Sequence, residues 1–468
     1  MSRNVRAHAV ALLAIAVALV GCSEGTAPTE PDVTSSVSAE SSTSAPGTTE
    51  ASESSGDPVL IQVMTTPSGR DPVEEAMVDE FNASQSDIEI ERVIVPSDLS
   101  GNLATAMRSG QGPDIFIGEP AETAIASGFA IPLNDLVSEE TQSIFADYIT
   151  GNQARVVNGQ FYNLPRTFTT ARLLYNRDLF RLAGLDPEAP PTTFSEVRAA
   201  ALAITEAGGN DVFGYGLDLA WGGVFEWEIE PLILAGNPDL TGVGLFNQSS
   251  QQFEMQHFAP AIELFRGMIA DGSMYPGVSS LDRDLTRAAF ADGTLGMYFG
   301  NFNEFGVQNV QLETDADWGA ALPPVPDGAS LARAVGLAGQ EVYISSQAED
   351  PEAAAVVLEF YVSQEMIQRL AEEGQVNPLR PDVQVDVPEL VDMPGYSGFA
   401  LSEIDEQWPL RPASFLEIRG ETYQDIVTRA ILSTDDYEDA LASISQVYTD
   451  AYNAAVDAGD IDPTRFAP

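Results

Sequence analysis

Lysine is missing from all 468 residues, cysteine occurs once and histidine twice. Every basic side chain is therefore an arginine, 21 of them against 71 Asp and Glu, for a formal charge of −50. With no basic surplus there is nothing to displace counterions from phosphates, so nucleic-acid binding is excluded as a main role. The lone Cys22 excludes an intrachain disulfide framework, a cysteine zinc site and a CxxC redox pair. His8 sits in a segment that reads as removable, which leaves His257 alone; Ser-His-Asp, Cys-His and multi-histidine metal centres are thus unavailable. No GxGxxG or GxxxxGK[ST] loop cradles a nucleotide, and no DxDxDG run frames calcium, although a site built from scattered carboxylates stays open. The abundance of acids removes any weight from two of them being neighbours, so a paired-acid glycosidase gains no support from composition. No cofactor and no metal is expected.

What is present begins with an address. Arg3 and Arg6 precede an apolar run from Ala9 to Val20, shorter than the ~20 residues that span a bilayer. Residues 1–21 therefore read as an export signal. The ending Leu19-Val20-Gly21-Cys22 resembles the lipobox of bacterial lipoproteins, which implies cleavage before Cys22 and a lipid on that residue. The alternative is an ordinary cleaved signal with a chance cysteine. Residues 22–57 follow as a tether of Ser, Thr, Glu, Gly, Pro, Ala and Asp in which Val33 and Val37 are the only larger apolar side chains. Such a segment cannot form a core, and a flexible coil of about 35 residues reaches ~30 Å. The expected plan is anchor, tether and body, on the extracytoplasmic face of a membrane.

The body opens on an α/β pattern, with 44% apolar residues in the whole chain to fill its cores. Val59–Met64 is short and apolar, Thr65–Arg70 is turn-forming, and a helix is expected from Asp71 as N-cap with Pro72 at its first position. A strand at Ile88–Val95, a helix at Asp98–Ser109 stopped by Gly110 and Gly112, and a strand at Asp114–Ile117 complete a strand-helix alternation that predicts a parallel sheet. Ligands of such sheets lie beyond the carboxyl ends of the strands, here Thr65–Arg70 and Gly118–Ala121.

Several segments then carry a family resemblance. Ser109-Gly110-Gln111-Gly112-Pro113-Asp114-Ile115 is similar to the SGxxPD segment of extracellular solute-binding proteins of the carbohydrate-uptake, maltose-binding-like group. Gly128–Leu133, Phe161–Pro165, Leu174–Phe180, Ala183–Asp186, Pro191–Phe194, Ala289–Met297, Leu322–Pro324 and Ala353-Ala354 continue the likeness in order over residues 58 to about 440. Arg177 departs from the Lys usual after the Tyr-Asn pair, a change that means little in a chain without lysine. These segments read as scaffold: Gly293 caps a helix, Asp114 opens a strand, and Tyr175 with Asn176 fixes a junction.

The resemblance implies a periplasmic-binding-protein-like fold of two α/β lobes with a cleft between them. The first lobe is expected at 58–167 and 337–368 and the second at 168–336 and 369–468, with crossovers near Pro165–Thr169, Val335–Glu341 and Gln364–Leu370. Closing such a cleft buries a ligand and needs no chemistry on it. The expected function is that of an ABC-importer receptor that delivers a sugar or oligosaccharide to a permease as a monomer. Alternatives are the same fold binding a polyol, peptide or phosphorylated compound, or an extracellular glycan-acting enzyme or adhesin.

A sugar site needs aromatic platforms flanked by amide, carboxylate and guanidinium groups. The segment Trp221-Gly222-Gly223-Val224-Phe225-Glu226-Trp227 supplies Trp221, Glu226 and Trp227, whose other role would be to cap a core. Asn301 and Phe302 follow a strand end. Arg166 lies in the first crossover, Glu119, Thr66 and Arg70 in the first lobe's crevice, Gln340 and Glu341 in the second crossover, and Trp408 and Arg411 in the returning segment. Arg166, Arg172 and Arg411 are the arginines on which an anion clamp would draw. A charge this negative also predicts self-repulsion that salt relieves, because the Debye length falls to about 3 Å at 1 M.

Overall fold

The computed structural model describes residues 57–466 apart from residues 97, 152–155, 158, 381 and 409–411. The expected signal 1–21, Cys22 and the tether up to residue 56 lie outside the described residues. Ten strands build the two main sheets: β1 (Val59–Thr65), β2 (Ile88–Ile94), β3 (Ile115–Ile117), β4 (Thr167–Asn176), β5 (Phe213–Gly216), β6 (Leu295–Asn301), β7 (Trp318–Ala321), β8 (Ala334–Gly339), β9 (Val342–Ile344) and β10 (Asp405–Gln407).

The first sheet has the order β9-β3-β1-β2, with β1 parallel to β2 and β3, and β9 antiparallel to β3. Its crossover helices are Asp71–Ser84 and Leu99–Ser109. The first starts one residue earlier than expected. Arg70 takes the N-cap position, and Asp71 sits at N1, where its carboxylate accepts from Ser68 N at 2.8 Å. The second helix, expected from Asp98, begins at Leu99 with Asp98 as its N-cap, accepting from Gly101 N. Ile61, Val63, Ile115 and Ile117 pack against Val357, Leu358, Ile367 and Leu370 of the helices Pro351–Tyr361 and Gln364–Glu372. Residues 364–370, expected as a crossover, are thus a helix buried in the first lobe's core. Their apolar positions 366, 367 and 370 recur at helical spacing, and that periodicity was the signal for packing.

The second sheet has the order β10-β8-β4-β6-β5, with β7 also paired to β4. Its central strand β4 is antiparallel to β6 and β8, while β5 is parallel to β6 and β10 is parallel to β8. β4 is buried at nine of its ten positions, as a strand covered on both faces must be. The sheet's largest core joins it to the helices Phe194–Gly208, Ala259–Asp271, Tyr423–Leu432 and Glu438–Ala458. Asp114 ties strand to loop and Asn176 caps a helix. Asp114 accepts from Gln62 N and Glu349 N, and Asn176 accepts from Leu179 N.

The lobes are joined by chain segments that lie side by side. Leu164 and Val342 exchange backbone hydrogen bonds, Arg166 N donates to Gly339 O at 3.2 Å, and Phe168 N donates to Asn377 O at 2.9 Å. After the Gln364–Glu372 helix the chain touches β4 at Asn377 and then returns to the first lobe's core at Val383, where Gln364 Nε2 donates to Asp382 O at 3.0 Å, so the third crossing follows Val383. The chain is a two-lobe α/β protein of the periplasmic-binding-protein type.

Candidate functional site

Strand direction locates the site. In the first sheet β1, β2 and β3 run together, and β9 enters from the hinge opposite the end of β3, with Val342 beside Ile117. The carboxyl ends of β1 to β3 therefore face the hinge. In the second sheet β4 leaves the hinge at Thr167 against Gly339 at the end of β8. Since β5, β6, β8 and β10 all oppose β4, their carboxyl ends reach the same edge. Both lobes thus direct the loops after their parallel strands toward one cleft, where ligands of such sheets bind.

At the base of the cleft a cavity of about 230 Å³ is lined by Arg70, Thr167, Thr169, Phe302, Asn303, Gly339, Gln340, Gln375, Val376 and Asn377. Both lobes and the hinge contribute to it. Of the residues expected from the sequence, Arg70, Phe302 and Gln340 line this cavity. Gln340 holds a left-handed backbone, φ 54°, which costs a non-glycine residue of order 1–3 kcal/mol and marks the hinge turn. Its side chain lies against Gly118, whose φ of 95° requires glycine and whose N–H donates to Glu341 O at 3.0 Å. Phe302 has its ring against Phe305 and Phe399 as well, so it is wall and core at once.

A second, larger groove of about 670 Å³ opens on the second lobe between Leu219–Phe225 and the helix Tyr423–Leu432. Trp221 lines it, and Arg283 stacks under that ring with its guanidinium carbon 4.0 Å from the centroid. Arg283 is itself buried between Asp218 at 3.0 Å and Glu228 at 2.5 Å. Burial, with the neighbouring Asp218, pushes the Glu228 carboxyl well above the usual carboxylate range, against the pull of Arg283. The expected segment thus presents one tryptophan on a buried ionic support. Sequence reasoning missed that support because its members come from a strand end, a helix turn and a distant helix.

Trp227 and Trp408 meet edge to face at 6.0 Å, beyond the ends of β5 and β10. Trp227 is half-buried, whereas Trp408 is buried with its indole nitrogen against Gly242, where there is no room for a Cβ. Trp408, expected at the cleft in the returning segment, is thus a member of the second lobe's core. Glu226 is half-buried, Thr66 is half-buried at the end of β1, and Glu341 is buried in the hinge. Asn301 is buried and accepts from Asn303 N at 3.0 Å, which shapes the turn after β6. Arg411 lies outside the described residues.

The hinge charges are engaged with the protein. Arg166 is buried, bonds Glu74 at 2.8 Å and lies over the Tyr361 ring at 5.2 Å. Arg92 bonds the same Glu74 at 2.9 Å and Asp71 at 2.6 Å. Burial alone would raise the Glu74 carboxyl, but Arg166, Arg92 and Arg70 together hold it below its ordinary value. Arg172 is likewise buried in a pair with Asp405 at 2.7 Å. An anion clamp from Arg166 and Arg172 is therefore corrected: both guanidiniums already have buried carboxylate partners. Glu119 is buried, accepts from Ser100 Oγ at 2.8 Å, and burial with nearby Asp98 raises its carboxyl. Gln375 and Asn377 were missed because they follow a helix that read as a crossover.

Comparison with known proteins agrees with this geometry. Residues 66–368 match the family described as bacterial extracellular solute-binding protein. A binding protein of Brucella abortus (strain 2308) is 26% identical over 274 residues, 55% of this chain and 61% of the relative. The sn-glycerol-3-phosphate-binding periplasmic protein UgpB of Yersinia pestis bv. Antiqua (strain Antiqua) is 26% identical over 281 residues, with the same coverages. The match thus spans about three-fifths of these curated relatives. Among solved structures, the cyclic alpha-maltosyl-1,6-maltose binding protein from Arthrobacter globiformis superposes with a TM-score of 0.65 at 21% identity, covering 85% of this chain and 100% of that one. No helix among the described residues is long and apolar enough to cross a membrane. With both sheet edges meeting at one cleft and the family pattern running across both lobes, the chain belongs to the bacterial extracellular solute-binding proteins.

Proposed function

We propose that the chain is the solute-capturing receptor of an ABC importer, anchored outside the membrane through a lipid on Cys22. It binds a sugar or related polyhydroxylated solute in the interlobe cleft and hands it to a permease. One observation carries the reading: a single cavity draws residues from both lobes and from the hinge between them. A ligand touching both walls stabilises the closed state by its contacts to each, and that differential affinity is what a transport receptor needs. The Arthrobacter neighbour, named for a cyclic maltosyl-maltose, and the UgpB relatives, named for glycerol phosphate, support a polyhydroxylated ligand. Binding alone accounts for the arrangement, with no catalytic step on the solute. The test is a melting screen of the full chain against mono- and oligosaccharides and polyol phosphates. A ligand at 100 times its dissociation constant adds about 2.7 kcal/mol and a clear rise in midpoint. Release of a shortened glycan from any of them would overturn the receptor reading in favour of an enzyme.

A further inference from the structure

The hinge cavity is chemically unlike the rest of the chain. Among the described residues no acid lines it, and Arg70 is the one charged residue that does. The other lining groups are the Thr167 and Thr169 hydroxyls, the Asn303, Gln340, Gln375 and Asn377 amides, the Phe302 ring, Val376 and Gly339.

Arg70 is also the least neutralised member of its group. Asp71 and Glu74 face three guanidiniums, those of Arg70, Arg92 and Arg166. Arg92 and Arg166 take the short contacts, 2.6 to 2.9 Å, while Arg70 stands 3.8 Å from Glu74. Its Nε, like those of Arg92 and Arg166, is buried without a hydrogen-bond partner, so the longer contact to Glu74 is what sets Arg70 apart. Burial and the neighbouring Arg166 pull this guanidinium down to about 10, so it keeps its charge at neutral pH. A positive charge left over at the base of a cleft, in a chain whose overall field repels anions, requires a partner that the protein does not supply.

Building on the receptor reading, we propose that the hinge cavity is an anion subsite: the transported solute carries a carboxylate or a phosphate that pairs with Arg70. The amides and hydroxyls around Arg70 suit the remaining oxygens of such a group, and a guanidinium binds it with charge-assisted, directional hydrogen bonds. The Phe302 ring offers a surface for an adjoining carbon chain or ring face. A volume near 230 Å³ holds the acidic end and a few carbons of the solute, not a whole oligosaccharide. A uronic acid and a phosphorylated polyol share this chemistry.

The experiment is calorimetric titration of the full chain with two matched pairs, glucose against glucuronate and glycerol against glycerol phosphate. It is run on the wild type, Arg70→Gln and Arg70→Lys. The expected result is that one anion binds ~100-fold tighter than its neutral parent, toward the upper end for a charged hydrogen-bond pair. The pair that shows the preference identifies carboxylate or phosphate. Arg70→Gln should shrink the ratio below tenfold, and Arg70→Lys should restore part of it. Arg92 and Arg166 remain on Glu74 in both variants, so folding is retained; should Arg70→Gln fail to fold, the wild-type ratios decide alone. Neutral parents binding as tightly as their anions, an unchanged ratio in Arg70→Gln, or no binding of either anion each overturns the inference. Neutral sugars that bind and close the lobes while anions do not would sink it and leave the receptor reading standing.

Discussion

Arg166→Leu separates two roles that the sequence allows for one residue. The side chain is buried in the hinge with its guanidinium on Glu74, which is itself buried, and its backbone N–H bonds the other crossing segment at Gly339. Breaking a buried ion pair by removing one member costs roughly 3–5 kcal/mol, because the remaining charge is stranded. Here Glu74 keeps Arg92 at 2.9 Å, so the loss belongs at the lower end, about 3 kcal/mol. The removed guanidinium also helps hold the Glu74 carboxyl down. A depressed carboxyl contributes stability that is present above its unfolded value, 4.5, and lost as pH falls through the folded one. The variant should therefore lose less than the wild type on acidification. Urea unfolding from pH 3 to 7 reads both effects as a lower midpoint at neutral pH and a flatter acid limb. A loss below ~1 kcal/mol with ligand affinity abolished would refute the argument, since it would make Arg166 a ligand group and not a hinge anchor.

Two further outcomes follow from buried groups. Glu230 is fully buried and accepts from Val243 N, Gly244 N and Tyr423 Oη, yet burial pushes its carboxyl up to about 7. A raised carboxyl leaves stability intact below its unfolded value of 4.5 and removes it as pH rises through about 7. The stability gap between wild type and Glu230→Gln should thus shrink by ~3 kcal/mol from pH 4.5 to 8, taking 1.36 kcal/mol per unit; a gap that widens with pH would contradict this. Trp227→Ala should weaken solute binding by about 10- to 100-fold in a titration, because its half-buried ring follows the end of β5, on the cleft side of the second sheet, and packs on Trp408. An unchanged affinity would make the Trp227 ring structural, as that of Trp408 is.

The alternation of strands and helices in the first lobe was legible because turn residues and caps mark each boundary, as at Gly110 and Asp98. The strand end in that order placed Arg70 on the cavity and the end of β6 placed Phe302, while Gln340 came from the crossover that the resemblance implied. Arg166 and Arg172 were legible as arginines near crossovers but not as paired ones, because Glu74 lies 92 residues before Arg166 in sequence and Asp405 lies 233 after Arg172. Sequence spacing carries no information about such contacts. The same limit hid the Asp218–Arg283–Glu228 support under Trp221. The shift of the third crossing from 364–370 to beyond 383 came from reading by resemblance a stretch whose own apolar period already specified a helix.

The central claim is that two lobes close on a solute. Spin labels placed by Asn102→Cys in the first lobe and Gly222→Cys in the second, both exposed beyond strand ends, report the width of the cleft through their distance distribution. Saturation with a solute that raises the melting midpoint should move that distribution to a single shorter distance. An unchanged distribution with the solute demonstrably bound would contradict closure and, with it, the receptor account.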